Sequence, residues 1–272
     1  MKFVCFSTTD LRPARDALVS DAKALGIFSD IEVWDEKRLV ASPEYMSLPQ
    51  QLREGRGFGF FWWKPYIIRL ALESVSDGDL VFYSDCGRYD GGFRLGAGLL
   101  YLLKRYSSTG FAGVEVPQFG AAKRWTRVEC IEYFSNQGVE FIEQPQIQAT
   151  FACWKKTDDS LKIIKEWEKC CREIAFVSDV ASEEMGNQGL DFIEHRHDQS
   201  ILTALVRKYK IPYISLSKKW QYGVLRILSR SRAANVEMKK TDFVAHCLKS
   251  NSLFLPLFLV YFKNKFLKRK KQ

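Results

Sequence analysis

Ten residues constrain this chain more than any others: Gly78-Asp79-Leu80-Val81-Phe82-Tyr83-Ser84-Asp85-Cys86-Gly87. Their apolar, β-rich centre reads as a strand buried on both faces, the kind found inside an α/β sheet. The run stops at a carboxylate followed, two residues on, by a glycine. Open α/β sheets bind ligands outside the carboxyl ends of their strands, so Asp85 stands where a carboxylate can hold a divalent cation or a ribose. The competing reading is local: the Asp85 side chain closes the following turn. Both readings stay open on position alone. Asp90 reads as a turn residue that could reach the same cavity.

The surrounding pattern extends the α/β reading. Lys2 to Phe6 predicts a first strand, and the polar Ser7-Thr8-Thr9-Asp10 follows it. A helix is predicted from about Pro13 to Leu25, with Leu18, Ala22 and Leu25 on one face, then a strand over Ile31 to Trp34. This opening is the usual start of a doubly wound nucleotide-binding fold. Gly55-Arg56-Gly57-Phe58-Gly59 reads as a flexible loop. The aromatic stretch Phe60 to Lys64 then leads into a helix over Pro65 to Leu72, the proline suiting a first turn. Beyond the central strand, Tyr89-Asp90-Gly91-Gly92 signals a turn and Leu99 to Arg105 a helix. A second lobe begins near Val114, with strands around Phe141 and over Ile147 to Trp154. An amphipathic helix spans Leu161 to Ile174, carrying Ile163, Ile164, Trp167 and Cys171 on one face. Ser200 to Tyr209 predicts another helix and Ile211 to Leu216 a short strand. With no repeat and no low-complexity linker, one two-lobed α/β domain is expected.

Composition narrows the class. At 46% hydrophobic and 27% charged residues the chain is a folded globular protein. Six of its nine net positive charges sit at Lys263, Lys265, Lys268, Arg269, Lys270 and Lys271, which leaves the rest of the chain at +3. The basic character therefore reports the tail, and no base-reading motif accompanies it, so a nucleic-acid partner is not expected. The seven cysteines are odd in number, irregularly spaced and without a CxxC pair, which favours reduced cytosolic thiols over a disulfide framework or a zinc site. No signal peptide is expected at the N-terminus, and no run is long enough to span a bilayer. Leu253 to Phe262 is densely apolar and is followed by the basic run. That pairing suits an interfacial segment on an anionic membrane leaflet; the other reading is a core helix with a solvated basic end.

Several side chains could carry chemistry. Lys64 follows Trp62-Trp63 and precedes Pro65, so its backbone is constrained, and it could place positive charge beside a phosphate; Arg56, Lys123, Arg124 and Arg127 are further sources. The bland reading of Lys64 is a solvated lysine at a helix start; Trp62 and Trp63 read as packing residues, with a sugar platform as the other reading. His195-Arg196-His197-Asp198-Gln199 combines possible ligands, a cation, a carboxylate and an amide, and holds two of the three histidines. Asp198 also suits an N-cap or first helical turn. His246 closes the apolar Asp242 to His246 stretch, and a neutral imidazole is a sound ligand for Mn2+. Gly91 to Gly96 lacks the spacing of a dinucleotide fingerprint, and neither a Walker loop nor a GxSxG elbow occurs.

Gly57-Phe58-Gly59-Phe60-Phe61-Trp62-Trp63-Lys64-Pro65-Tyr66, the Gly78 to Gly87 run and His195 to Ser200 together resemble a GT-A type glycosyltransferase of bacterial surface-polysaccharide synthesis, distantly similar to the glycogenin-like transferases. The resemblance covers most of the chain up to about His246. It implies a GT-A-like, Rossmann-like mixed sheet flanked by helices over residues 1–250. About 1–113 would form the nucleotide-sugar half and about 114–250 a smaller acceptor-side lobe, with an amphipathic basic tail at 251–272. It further implies a nucleotide-sugar donor, a divalent metal (Mn2+ or Mg2+), and transfer to a hydroxyl of a saccharide or lipid-linked acceptor. On this resemblance Ser7, Thr8, Thr9, Lys64, Ser84, Asp85 and Arg124 face the donor, and His195 and His197 the acceptor. Asp198 acts as base in an inverting reaction; Asp198 or Gln199 stabilises an oxocarbenium-like centre in a retaining one. The family's Asp-x-Asp motif is here Asp85-Cys86-Gly87. Either His246 joins Asp85 on the metal, or basic residues replace the metal. The expected location is cytoplasmic, peripheral on the inner membrane. Two other classes remain open: a non-catalytic nucleotide- or sugar-binding protein on a degenerate transferase fold, and a basic peripheral membrane or nucleic-acid binding module.

Overall fold

The computed structural model describes residues 1–86 and 110–214. Five strands, β1 (Lys2–Ser7), β2 (Asp30–Asp35), β3 (Leu80–Ser84), β4 (Phe111–Ala112) and β5 (Phe151–Lys155), form one sheet in the order β2-β1-β3-β5-β4. The first three are parallel; β5 runs antiparallel to β3, and β4 antiparallel to β5. The protein is thus of the α/β class, a mixed sheet flanked by helices. The chain leaves β1 for β2 on one side and returns to β3 on the other. The carboxyl ends of β1 and β3 therefore flank a topological switch point, where open α/β sheets place their ligands.

Alternation along the strands divides the core. Phe3, Cys5, Phe82 and Cys153 pack on one face with Leu18 and Ala22 of helix α1 (Arg12–Leu25). Val4, Phe6, Val81, Tyr83 and Trp154 face the other way, against Ile67, Ile68 and Ala71 of α2 (Trp63–Glu73). Beyond α2 lie α3 (Val128–Ser135), α4 (Asp158–Cys171) and α5 (His197–Lys208). The α4 helix starts at Asp158 rather than near Leu161 because Thr157 and Ser160 form a reciprocal capping box. The α5 helix starts at His197, which brings Asp198 and Gln199 into its first turn.

The glycine-rich segment before α2 is a tightly packed turn and not a flexible loop. Gly57, Phe58, Gly59, Phe60 and Phe61 all have φ between 55° and 88°, a left-handed helical turn. Three phenylalanines in that region cost roughly 1–2 kcal/mol each. Each glycine is needed for room: a Cβ on Gly55 would lie 2.3 Å from the Phe60 ring, one on Gly57 2.3 Å from the Phe61 ring, and one on Gly59 1.8 Å from the Leu52 carbonyl. The Trp63 indole secures the turn by donating to the Gly57 carbonyl at 2.9 Å. Trp62 and Trp63 are buried packing residues.

No strand forms around Phe141, where the chain turns; Pro145 and Ile147 make isolated bridges. The segment that follows is instead laced to α5. Thr203 Oγ1 accepts from Ile147 N at 3.0 Å and Gln199 Oε1 from Ala149 N at 3.2 Å. Four residues of helix and two of extended chain both advance by about 6–7 Å, so successive turns of α5 meet alternate amides. Ile214 bridges Val114 as a single pair. The predicted turn at Asp90, Gly87, the helix over Leu99 to Arg105, Leu216, His246 and the 251–272 tail lie outside the described residues. Among the described residues no helix is long and apolar enough to cross a membrane.

Candidate functional site

At the carboxyl end of β3 one ammonium stands between two carboxylates. Lys64 Nζ is 3.3 Å from Asp85 Oδ1 and 3.0 Å from Asp198 Oδ2, and it donates to the Ala149 carbonyl at 3.3 Å. Three parts of the fold supply the groups: the first turn of α2, the residue after β3, and the first turn of α5. Lys64 and Asp198 are 4% and 5% exposed, whereas Asp85 is 31% exposed and forms the open side. Asp85 is held by its backbone, whose N–H donates to Thr150 O at 2.7 Å and so extends the β3–β5 ladder by one residue. It is also held by the buried Tyr83 hydroxyl, which donates to its Oδ1. The Lys64 ammonium further lies 5.4 Å from the Phe61 ring centre and 5.5 Å from that of Tyr83.

Two negative charges to one positive make the electrostatics unequal. Burial works against the Lys64 charge, but Asp198 and Asp85 outweigh it and hold the ammonium above the usual lysine range. For Asp198, burial dominates, Lys64 opposes it and Asp85 adds to it, so the carboxyl is pushed up to about 6. Both directions hold together: the lysine keeps its proton, and the surplus carboxylate is the group that gains one most easily. Asp198 Oδ2 meets the Lys64 ammonium at 3.0 Å, and that ion pair opposes the upward pull of burial on the carboxyl.

The other donor-side residues surround the switch point unevenly. Ser7, at the end of β1, is buried with its hydroxyl unpartnered. Ser84 Oγ donates to the Asp85 carbonyl at 3.1 Å. Thr9 gives both its N–H and its hydroxyl to Glu36, at 3.0 and 2.6 Å, and the Thr8 hydroxyl is bound to Asp10. Arg124 is exposed on the short turn Ala122–Trp125, tied to Ile193 through its carbonyl, and no contact joins it to the Lys64 group.

The histidine cluster is buried. His195 accepts from Arg127 N at 3.2 Å through Nδ1 and, by that assignment, donates from Nε2 to Phe176 O at 2.8 Å, so both ring nitrogens serve the fold. Burial is the main cause that takes its pKa down to about 3. His197 sits at φ 46° and donates from Nδ1 to Val177 O at 2.7 Å. Its pKa is lowered, chiefly by burial, against the opposing pull of the Val177 carbonyl and Asp179. Gln199 spends both ends of its amide, accepting from Ala149 N and donating to Gln146 Oε1 at 2.7 Å. It positions the Lys64-binding Ala149 segment. Tyr83 and Ala149 enter the site without having been singled out in the sequence; Tyr83 lies two residues before Asp85, on the same face of the strand, a spacing that could have marked it.

Among the described residues no group of three His, Cys, Asp or Glu side chains is arranged to hold a metal. Asp85 alone does not make a site, and its proposed partner His246 lies outside the described residues.

No protein-family model matches the sequence, and no curated protein matches it. Among solved structures the chain is similar to a glycosyltransferase involved in glycosylation of the major capsid of PBCV-1, at 12% identity over 80% of this chain and 82% of that one, with a TM-score of 0.41. It is also similar to the galactosyltransferase LgtC solved with donor and acceptor sugar analogues (13% identity, 80% and 74% covered, TM-score 0.40). A third likeness is to mouse xyloside xylosyltransferase 1 (10% identity, 81% and 86% covered, TM-score 0.36). At these identities and scores none of them assigns a residue or an activity to this chain.

Proposed function

We propose that the protein is a glycosyltransferase that moves a sugar from a nucleoside diphosphate sugar to a hydroxyl of a saccharide or lipid-linked acceptor in surface-glycan synthesis. The observation that carries this reading is the Asp85–Lys64–Asp198 group at the switch point of the sheet. A donor sugar presents hydroxyls, which need acceptor oxygens fixed in space. Asp85 offers such an oxygen at the open side, and Lys64 holds the two carboxylates against their mutual repulsion. Ser7, with an unspent hydroxyl at the neighbouring strand end, suits the nucleotide side. Asp198, pushed up to about 6, is ionised at neutral pH yet basic enough to take the proton of an attacking hydroxyl. A divalent cation, with Asp85 and His246 as its ligands, belongs to the proposal and would supply charge for the departing diphosphate. The apolar and basic tail would seat the enzyme on the cytoplasmic face of an anionic inner membrane.

Thermal unfolding in the presence of a panel of nucleotide sugars tests this. A donor at about a hundredfold excess over its Kd adds about 2.7 kcal/mol, a rise in Tm of roughly 5–10 °C for a chain of this size. Asp85→Ala is expected to abolish transfer while the protein still folds and unfolds cooperatively. A panel in which no nucleotide sugar raises the Tm refutes the reading.

A further inference from the structure

We infer that the cleft between α2 and the end of α4 binds a phosphate group, at a place separate from the Asp85–Lys64–Asp198 group and on grounds independent of the transferase reading. The cleft has a volume of about 350 Å³ and is lined by Arg69 of α2 and by Lys165, Glu168, Lys169 and the cap residue Arg172 of α4. Lys165, Lys169 and Arg172 stand at i, i+4 and i+7, so they share one face of α4. Like charges at that spacing work against a helix. The helix dipole favours cations only in the last turn, which covers Lys169 and Arg172 and leaves Lys165 without that support.

The nearby acids do not balance these cations. Glu168 Oε2 accepts from Arg69 Nε at 2.6 Å, and its Oε1 is 3.6 Å from Arg172 Nη2. Glu73 accepts from Arg69 Nη1 at 2.8 Å and stands 3.9 Å from Lys165. Glu44 acts on Arg69 and Arg172 from behind and accepts from the Tyr66 hydroxyl at 2.7 Å. Lys162 and Glu166 turn towards Tyr209 and Lys208, and the exposed Glu173 pairs with none of the four cations. Four cations thus meet three carboxylates, and Arg69 takes both close bonds. Among the described residues Lys165, Lys169 and Arg172 have no hydrogen-bonded acid. The lysines are the groups a ligand meets: Lys165 is 60% exposed on its side chain, and Lys169 is exposed. Arg172 contributes charge rather than contact, because its Nε and Nη2 are closed off from solvent. Two ammoniums on flexible stems beside a guanidinium call for an anion with several oxygens and more than one negative charge. A phosphate has both, whereas a carboxylate has two oxygens and a single charge. The same group comes on a soluble phosphate ester or on the headgroup of phosphatidic acid.

Phosphorus NMR of inorganic phosphate titrated with the full chain, at an ionic strength held constant with sodium chloride, tests the site. The wild type is expected to broaden the phosphate line. The double variant Lys165→Gln/Lys169→Gln loses no hydrogen bond and keeps its fold; it should bind phosphate about tenfold more weakly. Glu73→Gln, which removes an acid beside Lys165, should bind it severalfold more tightly. The Tm shift given by nucleotide sugars should stay at its wild-type value in both. Cosedimentation with phosphatidylcholine vesicles carrying phosphatidic acid separates the sources: weaker sedimentation of the double variant than of the wild type assigns the site to a lipid headgroup, and equal sedimentation assigns it to a soluble ester. A wild type that does not bind phosphate overturns the inference, and so does a double variant that binds it as tightly as the wild type. Loss of the nucleotide-sugar shift together with phosphate binding in the double variant places the phosphate in the donor site and also overturns it.

Discussion

Asp198→Asn removes one carboxylate from the buried group while keeping its shape, and its effect on stability has a definite sign. The Asp198 pKa rises from 3.8 unfolded to about 6 folded. A raised carboxyl binds its proton more tightly in the native state. Its contribution is fully present below the unfolded pKa and is lost as pH climbs through the folded one. A shift of about two pKa units corresponds to about 3 kcal/mol. Asp198 is fully enclosed, so solvent screening does not reduce that figure. Asparagine does not titrate. The stability of the variant minus that of the wild type should therefore be level near pH 4, climb between pH 4 and 6, and sit about 3 kcal/mol higher at pH 8. Taking the difference matters because His195 and His197 act in the opposite sense: their folded pKa values are lowered, so their contribution is present above the unfolded histidine pKa and is lost as pH falls. Both proteins carry them, and they cancel. Urea unfolding followed by tryptophan fluorescence, in steps from pH 4 to 8, measures the curve. A difference that stays within about 0.5 kcal/mol across that range, or one that falls with pH, refutes the electrostatic account of the site.

Lys64→Met leaves Asp85 and Asp198 together without their cation and should cost about 3–5 kcal/mol; adding Asp198→Asn should recover part of it, and strictly additive melts would refute the coupling. Gly59→Ala places a methyl 1.8 Å from the Leu52 carbonyl at φ +88°, so circular dichroism should show a protein that fails to fold; a variant with a wild-type melt refutes the left-handed turn. Removing Ser252 to Gln272 should leave a folded protein that no longer sediments with phosphatidylglycerol vesicles, and sedimentation equal to that of the full chain refutes a membrane role for the tail.

The sheet was legible because its strands follow simple rules. Leu80 to Ser84 is apolar on both faces, and Lys2 to Ser7 leads into a helix with a clear apolar stripe; the observed β1, α1 and β3 follow from that. What periodicity could not convey is who meets whom. Lys64 stands out beside Trp62-Trp63 and Pro65, but its pairing with Asp198 depends on α4 packing against both α2 and α5, a tertiary fact with no local trace. His195 has the residue type of a ligand, and only burial beneath Arg127 and Phe176 gives it a structural duty. The Gly55 to Gly59 stretch shows the opposite failure. Glycine alternating with large side chains suggests freedom, whereas each glycine makes room for a ring or a carbonyl and together they fix the chain.

Three unfavourable features gather at one end of this sheet. A left-handed turn holds three phenylalanines at positive φ, a buried carboxylate is one negative charge too many for its lysine, and a buried imidazole nitrogen lacks a donor. Each is the kind of feature that packing or a conservative substitution would relieve if stability were the only demand, since a domain has only about 5–15 kcal/mol to spare. Much of the described core follows simple rules: alternating apolar faces, a capping box on α4, and amides of the extended segment satisfied by α5. The three features are also joined physically, through Phe61, which lies within 5.6 Å of both the Lys64 ammonium and the His197 ring. Other unpartnered buried polar atoms are dispersed, at Trp154, Gln188 and Arg207 among others, and Lys210 also sits at positive φ; what marks these three is that they touch one another beside the switch point of the sheet. That coincidence of strain, surplus charge and unspent acceptors is the physical reason to place the chemistry there, and it owes nothing to likeness with any other protein.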